Sequence, residues 1–446
     1  MTSTPDTVSR TLTKEEVQAI SGTLCFGNEV IDPGRQPVHV IYGGAHLFSS
    51  ETPAKLGRLA LKAAEEYCSE PRDLATIFGI RDDICQSVYD KIVVKLTTEP
   101  IEDLRIDFED GYGYRSDQEE DSHAESAAQQ MAAGMSNDSL PPFVGIRIKA
   151  FSPESHSRAI RTLDIFLTSL IKASGGRLPE NFVITLPKIV SVEQVSALTR
   201  LLDTLESRLL LPEGALKVEL MVETPQSIVS PTGEFALPNL VSAAAGRCVA
   251  AHFGAYDYTA SLDITSEYQD MLAQTCDFAR NLMQVSLSAT GIRLSDGATN
   301  VMPVPPHRGR ELTPEQKQEN LDAVHSAWRL HYDHCRHSLA NGFYQGWDLH
   351  PAQLVSRYAA IYSFFLEGLP AASERLRNFI DKAAQATLVG DVFDDAATGQ
   401  GLLNYFVRAV SCGAITDAEA LAHSGLSVDQ LRSGSFKRIL DHRRSK

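Results

Sequence analysis

The sequence predicts a (β/α)8 barrel, an α/β fold, with a long insertion after the first strand and an appended C-terminal helical region. Three observations predict it. Eight short β-prone segments recur between residues 38 and 350. The later ones start roughly 30–50 residues apart, enough for a crossover helix each time. Several of the gaps carry apolar residues at helical spacing. Strand–helix alternation repeated eight times reads as a closed parallel barrel, with a doubly wound sheet as runner-up.

Taken in order, the candidate strands are Val38–Tyr42, Leu104–Phe108, Val144–Ile148, Phe182–Leu186, Val218–Val222, Val249–Phe253, Asn300–Val304 and Gly346–His350. The eighth is the weakest, being neither strongly alternating nor β-branched. The clearest helix runs over Ser191–Ser207, where Val192, Val195, Leu198, Leu201, Leu202 and Leu205 fall three and four apart. Ser191 with Gln194 reads as its capping box. The first connection, about residues 50–100, has room for extra helices. Residues 1–352 then form the barrel domain, and 353–446, rich in Ala and Leu with Gly breaks, a helical extension.

Composition narrows the function. The chain has 446 residues, 43% of them hydrophobic, and a formal charge of −16. That balance excludes a polyanion grip, which needs clustered Lys and Arg, so no nucleic-acid partner is expected. An anionic membrane surface is excluded for the same reason. No apolar run reaches the roughly 18 residues of a spanning helix. The polar start MTSTPDTVSR has no apolar h-region, which predicts no secretory signal. Seven scattered cysteines without a CxxC pair fit reduced thiols in a cytoplasm. Residues 102–125 hold ten acids against two bases, half of the net charge.

In a barrel, catalytic groups stand at the C-terminal ends of strands. The second strand ends Arg105-Ile106-Asp107-Phe108-Glu109-Asp110, and alternation puts Arg105, Asp107 and Glu109 on one face. A face with one Arg and two acids is costly to bury against helices and belongs toward the mouth. The fifth strand alternates Glu219, Met221 and Glu223; the sixth is followed by Gly254, Ala255 and Asp257. Carboxylates at the same end of adjacent strands can share a hard divalent cation such as Mg²⁺. Arg147, at the third strand's end, suits a bidentate clamp on a carboxylate.

Spacing leaves a second reading open for each. Asp107, Glu109 and Asp110 also read as a solvated acidic loop, Glu223 as a helix-cap partner, and Arg147 as a structural partner of Asp107 or Glu109. Asp117–Glu125 reads as a solvated loop. His331, His334, Cys335 and His337 have ligand-like spacing, but an exposed helix face is the expectation there. The GYG of residues 111–113 lacks the strand–GxGxxG–helix setting of a dinucleotide fingerprint.

Seven segments together resemble a known superfamily: DFEDG (107–111), GIRIK (145–149), LPKIVSVEQV (186–195), ELMVETPQS (219–227), FGAYDYTASL (253–262), GIRLSDG (291–297) and WDLHPAQL (347–354). Their order is similar to that of the HpcH/HpaI aldolase and citrate lyase β-subunit superfamily, with a more distant likeness to malate synthases. The resemblance implies a cytoplasmic barrel enzyme that is a carbon–carbon lyase or aldolase. It implies Mg²⁺ (or Mn²⁺) on Glu223 and Asp257, with Arg147, Lys188, Gly254 and Ala255 binding substrate. Glu109 and Asp110 organise metal waters, and Asp394 or Asp395 of the tail is the implied general acid/base. The expected substrate is a small 2-oxo acid or related carboxylate, cleaved through a stabilised enolate.

The alternatives are a citryl- or malyl-CoA lyase or malate-synthase-like Claisen enzyme acting on a CoA ester, phosphoenolpyruvate-type phosphotransfer through His252, and a non-catalytic barrel subunit. A homo-oligomer is expected from the resemblance alone. Two departures stand out: Ile-Lys follows Arg147 where Val-Asn or Ile-Asn is common, and the chain is longer than a citrate lyase β-subunit.

Overall fold

The computed structural model describes residues 13–22, 34–309, 311–382, 387–389, 392–394, 396–433 and 439. Eight parallel strands close into a barrel in sequence order. They are β1 (His39–Gly44), β2 (Asp103–Asp107), β3 (Phe143–Arg147), β4 (Phe182–Leu186), β5 (Lys217–Val222), β6 (Cys248–Phe253), β7 (Arg293–Ala298) and β8 (Gln345–Asp348). β1 closes the ring by pairing β2 on one side and β8 on the other.

Seven of the expected strands overlap observed ones; the seventh is corrected. Asn300–Val304 is a loop, and the strand is Arg293–Ala298, inside the segment GIRLSDG. A central strand must donate hydrogen bonds on both edges, and Pro303 has no N–H to give.

The first connection holds three helices, Thr52–Tyr67, Pro71–Phe78 and Asp82–Thr98. The helix after β4 is Val192–Leu209, with Ser191 as N-cap and the reciprocal Ser191–Gln194 box formed. Its Val195, Leu198 and Leu202 are buried against the barrel. Residues 117–125 are not a solvated loop: they begin the helix Asp117–Ser136, capped by Ser116. Asp117, Glu119 and Glu120 crowd its first turn, where carboxylates complement the helix dipole. Glu120 is buried and answered by Lys149 (2.8 Å) and Thr162 (2.6 Å).

The expected exposed face at His331 is also corrected. On the helix Pro314–Ala340, His331, His334 and Cys335 are buried. His331 Nε2 lies 3.0 Å from Asp348 of β8, and Arg357 of the helix Gln353–Asp381 donates to the same carboxylate (2.7 Å). This cluster ties the barrel wall to the helices flanking β8. Beyond residue 382 come an antiparallel pair, Thr387–Val389 with Val392–Asp394, and the helices Ala396–Ser411, Asp417–Ser424 and Val428–Arg432. Asp395 lies outside the described residues, as does the side chain of Asp394. No described helix is long and apolar enough to cross a membrane.

Candidate active site

Strand register stacks charged side chains in the barrel. In the interior, Arg105 of β2 donates to Asp103 and, at 2.6 Å, to Glu219 of β5. Glu219 also accepts from Thr185 (2.7 Å) and the Tyr42 hydroxyl (3.1 Å), and His252 Nε2 stands 2.9 Å away. His252 is thus packed deep in the barrel beneath the mouth.

Two residues further along β2, and four along β5, the same faces reach the C-terminal mouth. Asp107 of β2 pairs with Arg147 of β3 across the sheet. Arg147 Nε and Nη2 donate to the two Asp107 oxygens at 2.7 and 2.6 Å. Asp107 also accepts the N–H groups of Glu109 (2.9 Å) and Gly111 (2.7 Å). A Cβ on Gly111 would fall 2.6 Å from Asp107 Oδ2, so only glycine leaves room for this turn. Arg147 is therefore committed to Asp107 on one edge. Its remaining nitrogen, Nη1, is buried without a hydrogen bond, 3.5 Å from Glu109 and 3.7 Å from Asp110. The guanidinium stacks over Tyr42 (4.8 Å) and Trp347 (5.5 Å).

On the opposite side stands Glu223, just past β5 and fully buried. Its Oε1 accepts the Lys188 backbone N–H at 2.6 Å, while Oε2 has no partner. Gly254 makes space for it: a Cβ there would meet Glu223 Cβ and Oε2 at 2.6 Å. The helix Ala255–Ser261, starting after Gly254, presents Asp257 from its first turn. The Lys188 ammonium joins the sides, at 3.1 Å from Asp257, 3.1 Å from Asp110 and 3.3 Å from Glu109.

The crowding of carboxylates shows in their proton affinities. Burial pushes Glu223 up to about 8, and neighbouring Asp257 reinforces the shift against Lys188 and Arg147. Burial likewise raises Glu109 to about 7, with Asp110 adding to it and Arg147 and Lys188 opposing. For Asp110, burial acts upward, but the hydrogen bond with Glu109 and the charges of Arg147 and Lys188 outweigh it and lower the value.

A cavity of about 350 Å³ opens here, lined by Tyr42, Arg147, Gly254, Ala255, Asp257 and Trp347 among others. Larger cavities, about 660 and 740 Å³, lie elsewhere, one along Lys95, Glu99 and Cys412 and one along Arg58, Pro100 and Leu140. In the former, Glu99 and Glu102 are answered by Lys95 and Arg35. The mouth is the candidate because it combines a strand-end position with clustered acids.

The structure brings together Glu109, Asp110, Arg147, Lys188, Glu223, Gly254, Ala255 and Asp257. Of the two structural partners expected for Arg147, it is Asp107 that holds it; two contributors escape the sequence, Tyr42 and Trp347, an aromatic pair with ring centroids 4.3 Å apart. Alternation within β1 and β8 carries the signal for the last two. Among the described residues, no three His, Cys, Asp or Glu side chains converge as a preformed metal cluster.

Comparison with known proteins shows the family and the fold. Residues 29–439 match a family described as a domain of unknown function, DUF6986. The chain belongs to that family. No curated protein matches it. Among solved structures, a citrate lyase from Burkholderia xenovorans LB400 is 18% identical, with a TM-score of 0.56, over 88% of this chain and 97% of that one. Protein CitE from Mycobacterium tuberculosis, in complex with magnesium, acetoacetate and coenzyme A, is 16% identical, with a TM-score of 0.48, over 84% and 99%. A Haloferax volcanii malate synthase is 13% identical, with a TM-score of 0.47, over 92% and 100%. The citrate lyase likeness establishes that this DUF6986 member shares that enzyme's fold.

Proposed function

We propose that this DUF6986 protein is an enzyme that makes or breaks a carbon–carbon bond beside the carbonyl of a small carboxylate, with Mg²⁺ or Mn²⁺ held by Glu223 and Asp257. One observation carries the reading: Glu109, Asp110 and Asp257 surround the Lys188 ammonium at the barrel mouth, beside the buried carboxylate of Glu223 and the buried Arg147. The residues fit a hard divalent cation. Glu223 Oε2 is buried and unpartnered, and a cation, Lys188 Nζ, already stands 3.1 Å from Asp257. Mg²⁺ takes one or two protein carboxylates and fills its other positions with water or substrate oxygen, so two ligands suffice.

When bound, such an ion supplies Lewis-acid polarisation of a carbonyl or carboxylate oxygen. The protein's own groups do the rest. Arg147 Nη1 is the unused donor beside the cavity, and Asp107 fixes its direction; it is suited to a substrate carboxylate or to oxygen where negative charge develops. Glu109, raised to about 7, holds or releases a proton near neutral pH. Lys188 adds positive charge for an anionic substrate. Tyr42 and Trp347, their rings tilted 43° to one another, supply an aromatic side to the cavity for the substrate.

The cavity size favours a free 2-oxo acid or similar carboxylate over a CoA thioester. His252, which phosphotransfer would need, is 2% exposed and held between Tyr42 and Glu219. The homo-oligomer and the cytoplasmic location belong to this proposal, and light scattering on the purified protein checks the first. The central test is Mn²⁺ binding by titration calorimetry, followed by thermal-shift screening of 2-oxo acids against CoA thioesters. Mn²⁺ that binds Glu223→Gln and Asp257→Asn as well as it binds wild type would sink the assignment.

A further inference from the structure

Lys188 stands as a cation among acids, and its backbone is shaped to put it there. Its φ is 50°, in the left-handed region that a residue with a Cβ rarely adopts. That conformation aims the N–H at Glu223 Oε1 (2.6 Å) and carries the ammonium to Asp257, Asp110 and Glu109. Arg147, the other cation of the mouth, is occupied by Asp107. The positive charge between the two sides of the site is therefore a flexible, single-point one.

We infer that Lys188 is a tethered stand-in cation: its ammonium holds the acidic mouth together when no divalent ion is bound, and it releases Asp257 when the ion arrives. This rests on Glu223 and Asp257 being the metal ligands. An ammonium and a divalent ion compete for the same carboxylate oxygen and repel each other at this range. The exchange is undemanding, because an ammonium leaving Asp257 keeps Glu109 and Asp110. The four carboxylates then divide into two pairs, one on Lys188 and one for the ion. The Lys188 N–H stays on Glu223 Oε1 throughout, which leaves Oε2 as the oxygen free for the ion. A lysine suits this task, being a point charge on a four-carbon stem; an arginine fork would hold its carboxylates rigidly.

The test compares full-length wild type with Lys188→Met and Lys188→Gln. Mn²⁺ affinity is measured by calorimetry, and melting is followed in EDTA and in saturating Mn²⁺. Both variants should bind Mn²⁺ about tenfold more tightly. They should melt below wild type in EDTA and recover most of the difference in Mn²⁺. An unchanged or weaker affinity, or an equal melting deficit with and without Mn²⁺, overturns the inference. So does a Mn²⁺-soaked wild-type crystal in which Nζ remains on Asp257, a measurement that needs no variant to fold. If neither wild type nor the variants bind Mn²⁺, the metal assignment itself fails, and this inference with it.

Discussion

The barrel holds two charged layers that differ in how their charge is balanced. In the interior, Asp103 and Glu219 face Arg105 directly and feel Arg293 nearby, so acids and guanidiniums match in number. At the mouth, Asp107, Glu109, Asp110, Glu223 and Asp257 share Arg147 and Lys188. Five carboxylates against two cations leave an excess, and Glu223 Oε2 shows it as a buried oxygen without a partner. Burying an unpaired charge is expensive, so a layer that balances itself serves the fold, while one that does not is waiting for a ligand. The two glutamates on the face of β5 diverge in proton affinity. Arg105 and His252 hold Glu219 well below the usual carboxylate range even against burial, the largest influence on it, whereas Glu223 is pushed up to about 8.

The largest expected effect breaks the mouth alone. Glu223→Gln or Asp257→Asn should lower turnover of an identified substrate by about a hundred- to a thousandfold, the scale at which transition-state charge stabilisation is lost. Their circular dichroism spectra should match wild type. Next, Arg147→Met should destabilise the protein by roughly 3–5 kcal/mol, because Asp107 is left buried without its partner; urea unfolding measures this. Glu219→Gln should cost less, about 2–3 kcal/mol, since one charge-assisted hydrogen bond to Arg105 is weakened. It should also leave Mn²⁺ affinity within about twofold of wild type. Loss of metal binding in Glu219→Gln would erase the distinction between the layers.

A pH experiment sharpens the contrast. A carboxylate whose folded value is raised stabilises the fold fully below its unfolded value, near 4.5, and that stability is lost as pH climbs to the folded value. Glu223 at about 8 and Glu109 at about 7 therefore each contribute a loss of stability in EDTA that builds from about pH 4.5 to the folded value, and comparison of wild type with Glu223→Gln isolates the Glu223 share. Saturating Mn²⁺ should flatten the slope, and so should Glu223→Gln in EDTA. The same pH dependence in wild type and Glu223→Gln across that window, without metal, would contradict the unbalanced mouth. The smallest effect is a control remote from both layers: Ser191→Ala should cost about 1 kcal/mol through its helix cap and leave Mn²⁺ affinity unchanged.

Much of this was legible before folding. Period-two alternation marked β2 and β5, and with it the faces that carry Asp107, Glu109, Glu219 and Glu223. It failed at β7, where the apolar look of NVMPV outweighed the missing Pro303 N–H. It could not separate Glu219 from Glu223, which share a face four residues apart yet belong to different layers. The residues around His331 misled for a similar reason. A helix with His, Arg and Asp along its length reads as solvated unless the partners that bury it, Asp348 and Arg357, are known.

The amino-acid sequence by itself determined the barrel, the order of its strands and the collection of acids at their C-terminal ends, because alternation and helical period are local properties of the chain. Only the tertiary structure decided what those acids meet. Arg147 spends two nitrogens on Asp107, Gly254 opens space for Glu223, and one ammonium spans residues 78 and 69 positions away in the chain. Such partnerships are set by barrel closure and strand register, which bring distant residues into hydrogen-bond range, and no local pattern encodes them.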